Sequence, residues 1–308
     1  MKSPALRLLF LALLVLALAA CGSRVSPSAT SPDGTQKAPS QSPIDATASS
    51  SPLPTTPPLA ALVNGQGIWL EDYQASLSRL QDSQSSSTQT LSAAQQKQMA
   101  LDDLVNEMLL AQAAEKAGHT VSKADVQQHL ADLQAQLPQG SSLESWMAAN
   151  HFNQEGLQRA LKRSMEASWQ RDQISQAVPQ SAEQVHARQI LLNSQQEAGA
   201  VYAQLQAGAS FDQLAWQYDP LTGGDLGWFP RGYLTQRAVE DAAFALQPGQ
   251  YSQPVQSDLG FHVVEVVARD AQHPLSADAR LTLQHQALQD WLKTQRAQAK
   301  LQVFVQID

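Results

Sequence analysis

The chain has 308 residues, with 20 Lys and Arg against 28 Asp and Glu and a formal net charge of −8. That balance argues against nucleic acid, and against anionic lipid held by charge, as partners. A single cysteine excludes a disulfide framework.

Residues 1–20 read as a secretory signal peptide. Lys2 and Arg7 supply the positive start, and Leu8 to Ala20 is an uninterrupted apolar run, short of the roughly 20 residues a membrane span needs. The run ends in Leu18-Ala19-Ala20-Cys21, which resembles the lipobox of bacterial lipoproteins. The resemblance implies that the Cys21 thiol takes a diacylglycerol; the alternative is a plain secretory signal with an incidental cysteine. Without the two leader charges the net charge becomes −10. Residues 22–58 hold nine Ser, five Thr and eight Pro, with almost nothing to bury. We read 21–58 as a lipidated cysteine followed by a disordered tether. As a flexible coil it spans on the order of 35 Å, enough to lift a folded body off a membrane.

The body then divides into a helical part over 59–178, a mixed part over 181–270 and a returning segment over 274–308. LAALVNG at 59–65 predicts a short strand and a tight turn at Asn64-Gly65. Leu101, Leu104, Val105, Met108 and Leu109 recur at helical spacing within 98–117. Ser122 with Asp125, and Ser141 with Glu144, predict helix starts. A polar insert interrupts at 81–89, and a long helix runs from Gln154 to Val178. Trp146, Trp169 and Trp291 fall at helical positions and are expected in the core.

After Pro179 the pattern changes. VHARQILL at 185–192 predicts a strand, 196–207 a helix, and Ser210 with Gln213 opens a short helix to Tyr218. GGDLGWF at 223–229 is too glycine-rich for a helix and is taken as a short strand. AVEDAAFAL at 238–246 is a helix, YSQPV a short strand and FHVVEVV at 261–267 a β-branched strand. The order β-α-α-β-α-β-β predicts a compact α+β unit. A helix from Ser276 to about 300 precedes LQVFVQI at 301–307, an alternating strand. We expect that strand to pair with the one near 60–63, which would make the mixed unit an insertion in a helical domain; local pairing of the tail is the alternative. No GxSxG elbow, HExxH or paired Cys/His spacing is present, so neither cofactor nor metal is expected.

HARQILL, ASFDQLAWQYDP, GGDLGWFPRG, VEDAAFALQPGQYSQPVQ and GFHVVEV, in this order over 183–269, resemble the parvulin family of peptidyl-prolyl isomerases. The whole layout resembles extracytoplasmic foldases of the PrsA and SurA type. The resemblance implies a four-stranded antiparallel sheet with surrounding helices, set in a helical chaperone-like domain built from both ends of the body. It also implies cis-trans isomerisation of X-Pro bonds in exported, unfolded polypeptides, outside the cytoplasm at the outer face of the cytoplasmic membrane or at an outer membrane. Residue by residue, Leu226, Leu234 and Val239 fall at the proline pocket, with Trp228 on its wall. Asp219, Gln189 and His262 fall in the polar network. Two departures stand out: Gln189 replaces the family's first histidine, and Val239 replaces a usual Phe. His186, three residues before Gln189, belongs on the other side of its strand. These departures keep a second reading open, a non-catalytic chaperone that uses the fold only to hold clients.

Overall fold

The computed structural model describes residues 58–84 and 91–307. The signal peptide, Cys21, the tether up to residue 57 and the polar insert from residue 85 lie outside the described residues; residues 81–84 continue a helix. No helix among the described residues is long and apolar enough to cross a membrane.

The chain opens with a hairpin of β1 (Leu59–Val63) and β2 (Gln66–Trp69). Asn64 and Gly65 both have positive φ, 52° and 88°. This is the backbone that a two-residue turn between twisted strands requires, and Asn and Gly tolerate it best. Helices α1 (Leu70–Gln84), α2 (Ala93–Lys116), α3 (Lys123–Gln136), α4 (Leu143–Ala149) and α5 (Gln154–Gln176) follow. Ser92 with Gln95 and Ser122 with Asp125 close reciprocal capping boxes. The third box uses Ser142 with Ser145, one residue beyond the expected Ser141 and Glu144. The predicted stripe is buried: Leu101, Leu104, Val105, Met108 and Leu109 pack with Ala60, Ala61, Val63 and Ile68. The three tryptophans are only half-buried. Trp169 stacks on His119 with ring centroids 4.6 Å apart, Trp146 stacks on Phe152, and Trp291 packs beside Leu110, Ala167 and Ile174.

The mixed unit contains β3 (Ser181–Leu192), α6 (Gln195–Gln206), α7 (Phe211–Tyr218), β4 (Asp225–Pro230), α8 (Arg237–Ala245), β5 (Val255–Ser257) and β6 (Gly260–Pro274). Its four-stranded sheet is antiparallel throughout, in the order β4-β3-β6-β5. Strand alternation gives it two buried faces. Ile190, Leu192 and Val263 meet α6 and α7, whereas Val185, Ala187, Val264 and Val266 meet α8. Only Val255 of the YSQPV stretch enters a strand; Tyr251 makes an isolated bridge to Glu265. The central strands run longer than the apolar pattern predicts. Pairing continues to Ser181 opposite Pro274, and the buried Gln184 side chain donates to the carbonyls of His273 and Pro274 at 2.9 and 3.1 Å.

Helix α9 (Ala277–Gln298), capped by Ser276, carries the chain back to the first helices, and Ala287, Leu288 and Leu292 pack on α2 and α5. The terminal strand β7 is Leu301–Val303 and pairs antiparallel with β1. It is shorter than LQVFVQI suggests. Val305 and Ile307 still pack on the first core, but Leu301, Val303 and Phe304 remain exposed. Asn64 locks the junction: its Oδ1 accepts from Lys300 N at 2.9 Å and its Nδ2 donates to Gln112 at 2.9 Å. Asn64→Ala should destabilise the protein by roughly 1–3 kcal/mol in urea unfolding, from a strained φ and lost hydrogen bonds. Asn64→Gly, which accepts the φ, should lose less.

Candidate functional site

The site occupies one face of the four-stranded sheet. Gln189 on β3 stands opposite Val264, and His262 on β6 opposite Leu191. Both therefore project to the face that carries Ala187, Val264 and Val266. Gln189 Oε1 accepts from His262 Nδ1 at 2.7 Å, and Ser257 Oγ lies 2.6 Å from His262 Nε2. Leu259 N donates to the same Ser257 oxygen at 3.0 Å. With that lone pair taken, the serine hydrogen turns to Nε2, and the imidazole proton sits on Nδ1 facing Gln189. The chain of donors runs Leu259, Ser257, His262, Gln189. It ends at the Gln189 amide nitrogen, which has no protein partner among the described residues.

His262 is 1% exposed, and burial pushes its pKa below the ordinary 6.5. It is a neutral imidazole, fixed in one tautomer and satisfied on both nitrogens. His186 is elsewhere, as strand alternation predicts. It lies 2.7 Å from Asp225 Oδ1 on the opposite face and is tilted against Trp228.

The apolar half of the site lies on the same face. Leu226 is the extra residue of a β-bulge: Ala187 pairs with Gly227 and Arg188 with Asp225, so Leu226 has no partner of its own. An odd offset from the buried Phe229 would put Leu226 on the wrong face of a regular strand. The bulge, with Gly227 at φ 65°, turns it back. Leu226, Tyr233, Leu234 and Leu246 are half-buried over a cluster that contains Phe229, Val239, Ala243 and Phe244. Val239 is itself 2% exposed, so it forms the floor of this surface and not its accessible lining. Trp228 is a correction of a different kind. It is not beside Leu226 but on the other face, stacked on His273 with centroids 4.2 Å apart.

Asp219 ends α7 and does not touch the His262–Gln189 pair. Its carboxylate accepts from the Thr222 hydroxyl and from the backbone N–H groups of Leu221, Thr222 and Gly224. The Thr222 hydroxyl, then these amides, hold its pKa below the usual carboxylate range. Asp219 acts on the site through Gly224, whose N–H it binds at 3.2 Å and whose carbonyl accepts from Gln189 N at 2.8 Å. Nothing larger than glycine fits there: a Cβ on Gly224 would lie 1.9 Å from Gln189 O, at φ 69°.

Three further residues build the site and were not legible beforehand. Ser257 fixes the imidazole. Tyr233 widens the apolar surface. Glu240, 2% exposed, accepts from Gly232 N at 2.8 Å and Leu234 N at 2.9 Å, and so places Leu234. Its signal was an acid on the apolar stripe of α8, next to Val239 and four residues before Phe244.

With this geometry in place, comparison with known proteins assigns its class. Residues 174–268 match the model of the PPIC-type peptidyl-prolyl isomerase (rotamase) domain, and residues 48–161 that of the SurA-like N-terminal domain. The unit built on β3–β6 is therefore a parvulin-type peptidyl-prolyl isomerase domain. The foldase PrsA of Geobacillus sp. (strain WCH70) is 32% identical over 126 residues, which is 39% of this chain and 45% of that one. The PrsA of Caldanaerobacter subterraneus subsp. tengcongensis is 27% identical over 238 residues, 67% of this chain and 72% of that one. A crystal structure of PrsA from Bacillus anthracis is similar over 64% of this chain and 96% of its own, with 24% identity and a TM-score of 0.43. The chain thus spans under half the length of the Geobacillus relative. The match to the SurA-like N-terminal domain precedes the match to the PPIC-type domain along the chain.

Two measurements test the geometry. Gly224→Ala should cost more than about 3 kcal/mol in urea unfolding or abolish the domain, because both the φ and the backbone clash oppose it. Gly227→Ala meets nothing within 4 Å and should cost only the positive φ, about 1–2 kcal/mol. The second concerns pH. Well above 6.5, His262 is neutral whether the chain is folded or not. As pH falls through 6.5 the unfolded chain takes up a proton that the buried imidazole refuses, so stability declines toward acid. His262→Asn should lose less stability than the parent between pH 7 and about 5.5.

Proposed function

We propose that the protein is an extracytoplasmic foldase that isomerises X-Pro bonds in exported, unfolded polypeptides. We assign its anchor to a lipid on Cys21, with 21–58 as tether. The 59–178 and 274–308 segments form one helical body into which the 181–270 unit is inserted. Support for the anchor is the Leu-Ala-Ala-Cys end of the apolar leader. Support for the inserted layout is the pairing of β1 with β7.

The reaction needs no covalent step. Resonance sets a barrier of roughly 18–20 kcal/mol to rotation about the bond, and removing about 4 kcal/mol of it accelerates exchange roughly a thousandfold. As the amide twists, conjugation is lost and the prolyl nitrogen gains a localised lone pair. A donor aimed there binds the transition state better than either planar isomer. In our reading the proline ring rests on Leu226 and Leu234 over the Val239 floor, while the Gln189 amide supplies the donor. His262 and Ser257 orient that amide, and Asp219 holds the turn that brings Gly224 against Gln189. One observation carries this reading: a satisfied hydrogen-bond chain that ends in an unpartnered amide N–H₂ beside a half-buried leucine surface. The role asks for no proton transfer, so glutamine can stand where the family has histidine.

A second reading, a chaperone that only holds clients, is favoured by the two departures from the family pattern, Gln189 in place of the first histidine and the smaller, buried Val239 in place of Phe. Proline-limited refolding of a client separates the two. Acceleration should be observed, and Gln189→Met and His262→Ala should each lower kcat/KM by about tenfold to a hundredfold, whereas Gln189→His should retain activity. Suppressed client aggregation without any acceleration would leave only the holding reading.

A further inference from the structure

The charges around the site bear on which X-Pro bonds it takes, and this inference rests on the function proposed above. Between residues 181 and 270 the chain has ten Asp and Glu, four Arg and no Lys. Every one of the four arginines is engaged by an acid: Arg188 by Asp212, Arg231 by Asp241, Arg237 by Glu240 and Arg269 by Glu183. Arg188 precedes Gln189 in sequence but points to the opposite face of β3. Arg231 lies 4.2 Å over the Phe244 ring. Each arginine's charge is thus offset by a neighbouring acid, with Arg231 and Arg237 paired at the solvent-exposed surface.

The two loops that flank the Gln189–His262 pair carry the opposite charge. One holds Asp219, whose Gly224 contact leads to Gln189. The other holds Asp258, exposed in the turn directly after Ser257 and without an ion pair among the described residues. Each loop also presents a bare leucine. Leu221 is 90% exposed and Leu259 is 63% exposed. Neither is loose in its loop: Leu221 N donates to Asp219 Oδ1, and Leu259 N to the same Ser257 oxygen that holds His262. The hydrogen bonds that build the network therefore also fix an acid and a leucine on each side of it.

We propose that this rim sets specificity: the site takes X-Pro segments in which X is cationic or apolar and turns away those in which X is acidic, with Asp219 and Asp258 as the charge filter and Leu221 and Leu259 as the apolar contacts. Two carboxylates within about a Debye length of X attract a cation and repel an anion, and separate Lys from Glu by roughly tenfold at low ionic strength and by less in salt.

The test uses otherwise identical peptides with X as Lys, Leu, Ala or Glu. Turnover should rank Lys and Leu above Glu by about fivefold or more at low salt. In 0.5 M salt the Lys-to-Glu ratio should shrink while the Leu-to-Ala ratio persists. Asp258→Lys should lower the Lys-to-Glu ratio severalfold, and because a ratio is read, partial unfolding of the variant cancels. Binding of the same peptides, followed by chemical-shift changes at the amides of 257–260, reads selectivity without turnover. Binding that favours Lys without any isomerisation would defeat the proposed catalysis and keep the filter. Equal rates and equal Kd across the series, or a preference for Glu, would overturn the filter and leave the isomerase reading standing.

Discussion

The antiparallel pairing of β3 with β6 is the constraint on which the rest depends. It runs from Leu192 opposite Phe261 to Ser181 opposite Pro274. At one end its register sets Gln189 and His262 on a common face within hydrogen-bond reach. In the middle its alternation gives the sheet two buried faces, one against α6 and α7 and one against α8. At the other end it becomes a ribbon that delivers the chain to Ser276 and α9. A slip of β3 by one residue would turn Gln189 away from His262 and swap Val185 and Ala187 with Ile190 and Leu192 between the two helix-covered faces. The burial of Val185, Ala187, Val264 and Val266 therefore holds the site in register as well as the fold.

Around that ladder, polar side chains act mainly by satisfying backbone groups that would otherwise stand open. Asp219 gathers the amides of the turn after α7, Glu240 gathers two amides of the loop before α8, and Ser257 gathers one in the β5–β6 turn. Each fixes a loop that carries a site residue. The helical part works in a similar way. The buried Asp72 is met by Arg159 at 2.9 Å and Arg163 at 3.4 Å, and the buried Glu166 by Lys162 at 2.6 Å and Val121 N at 3.0 Å. Burying a carboxylate is tolerated only with such partners. Lys162 lies on α5 with Glu166, but Arg159 and Arg163 tie α5 to Asp72 on α1, and Val121 N ties the segment before α3 to Glu166.

Much was legible because local physics wrote it. Capping boxes, the Asn64-Gly65 turn and the Leu101–Leu109 stripe depend on residues a few positions apart. Gln189 and His262 were singled out by the parvulin resemblance, and strand alternation set His186 apart from Gln189. The misreadings fall where distant residues decide. YSQPV lacks a continuous ladder because the partner strand is matched only at Tyr251 and from Val255 onward. LQVFVQI leaves the ladder after Val303, with a last bond from Phe304 N to Ala60 O, as Val305 and Ile307 turn to pack on the core while Phe304 stays exposed. Trp228 faces away from the pocket because the bulge at Leu226 reverses the leucine and leaves the tryptophan in the ordinary alternation.

By itself, then, the sequence determined the kinds of elements, the order in which they occur, the apolar faces they offer and the residue types available to the site, since all of these follow from periodicity, capping and composition. Only the tertiary structure decided which side chains meet. Ser257 is five residues from His262 but touches it because a hairpin folds back. Asp219 reaches Gln189 only through the backbone of Gly224, at a separation that no Cβ could share. Val239 became a floor and not a lining because α8 docks it beneath Leu226 and Leu234. Those outcomes depend on how close two backbones approach, and that distance is set by the packing of the whole sheet against its helices.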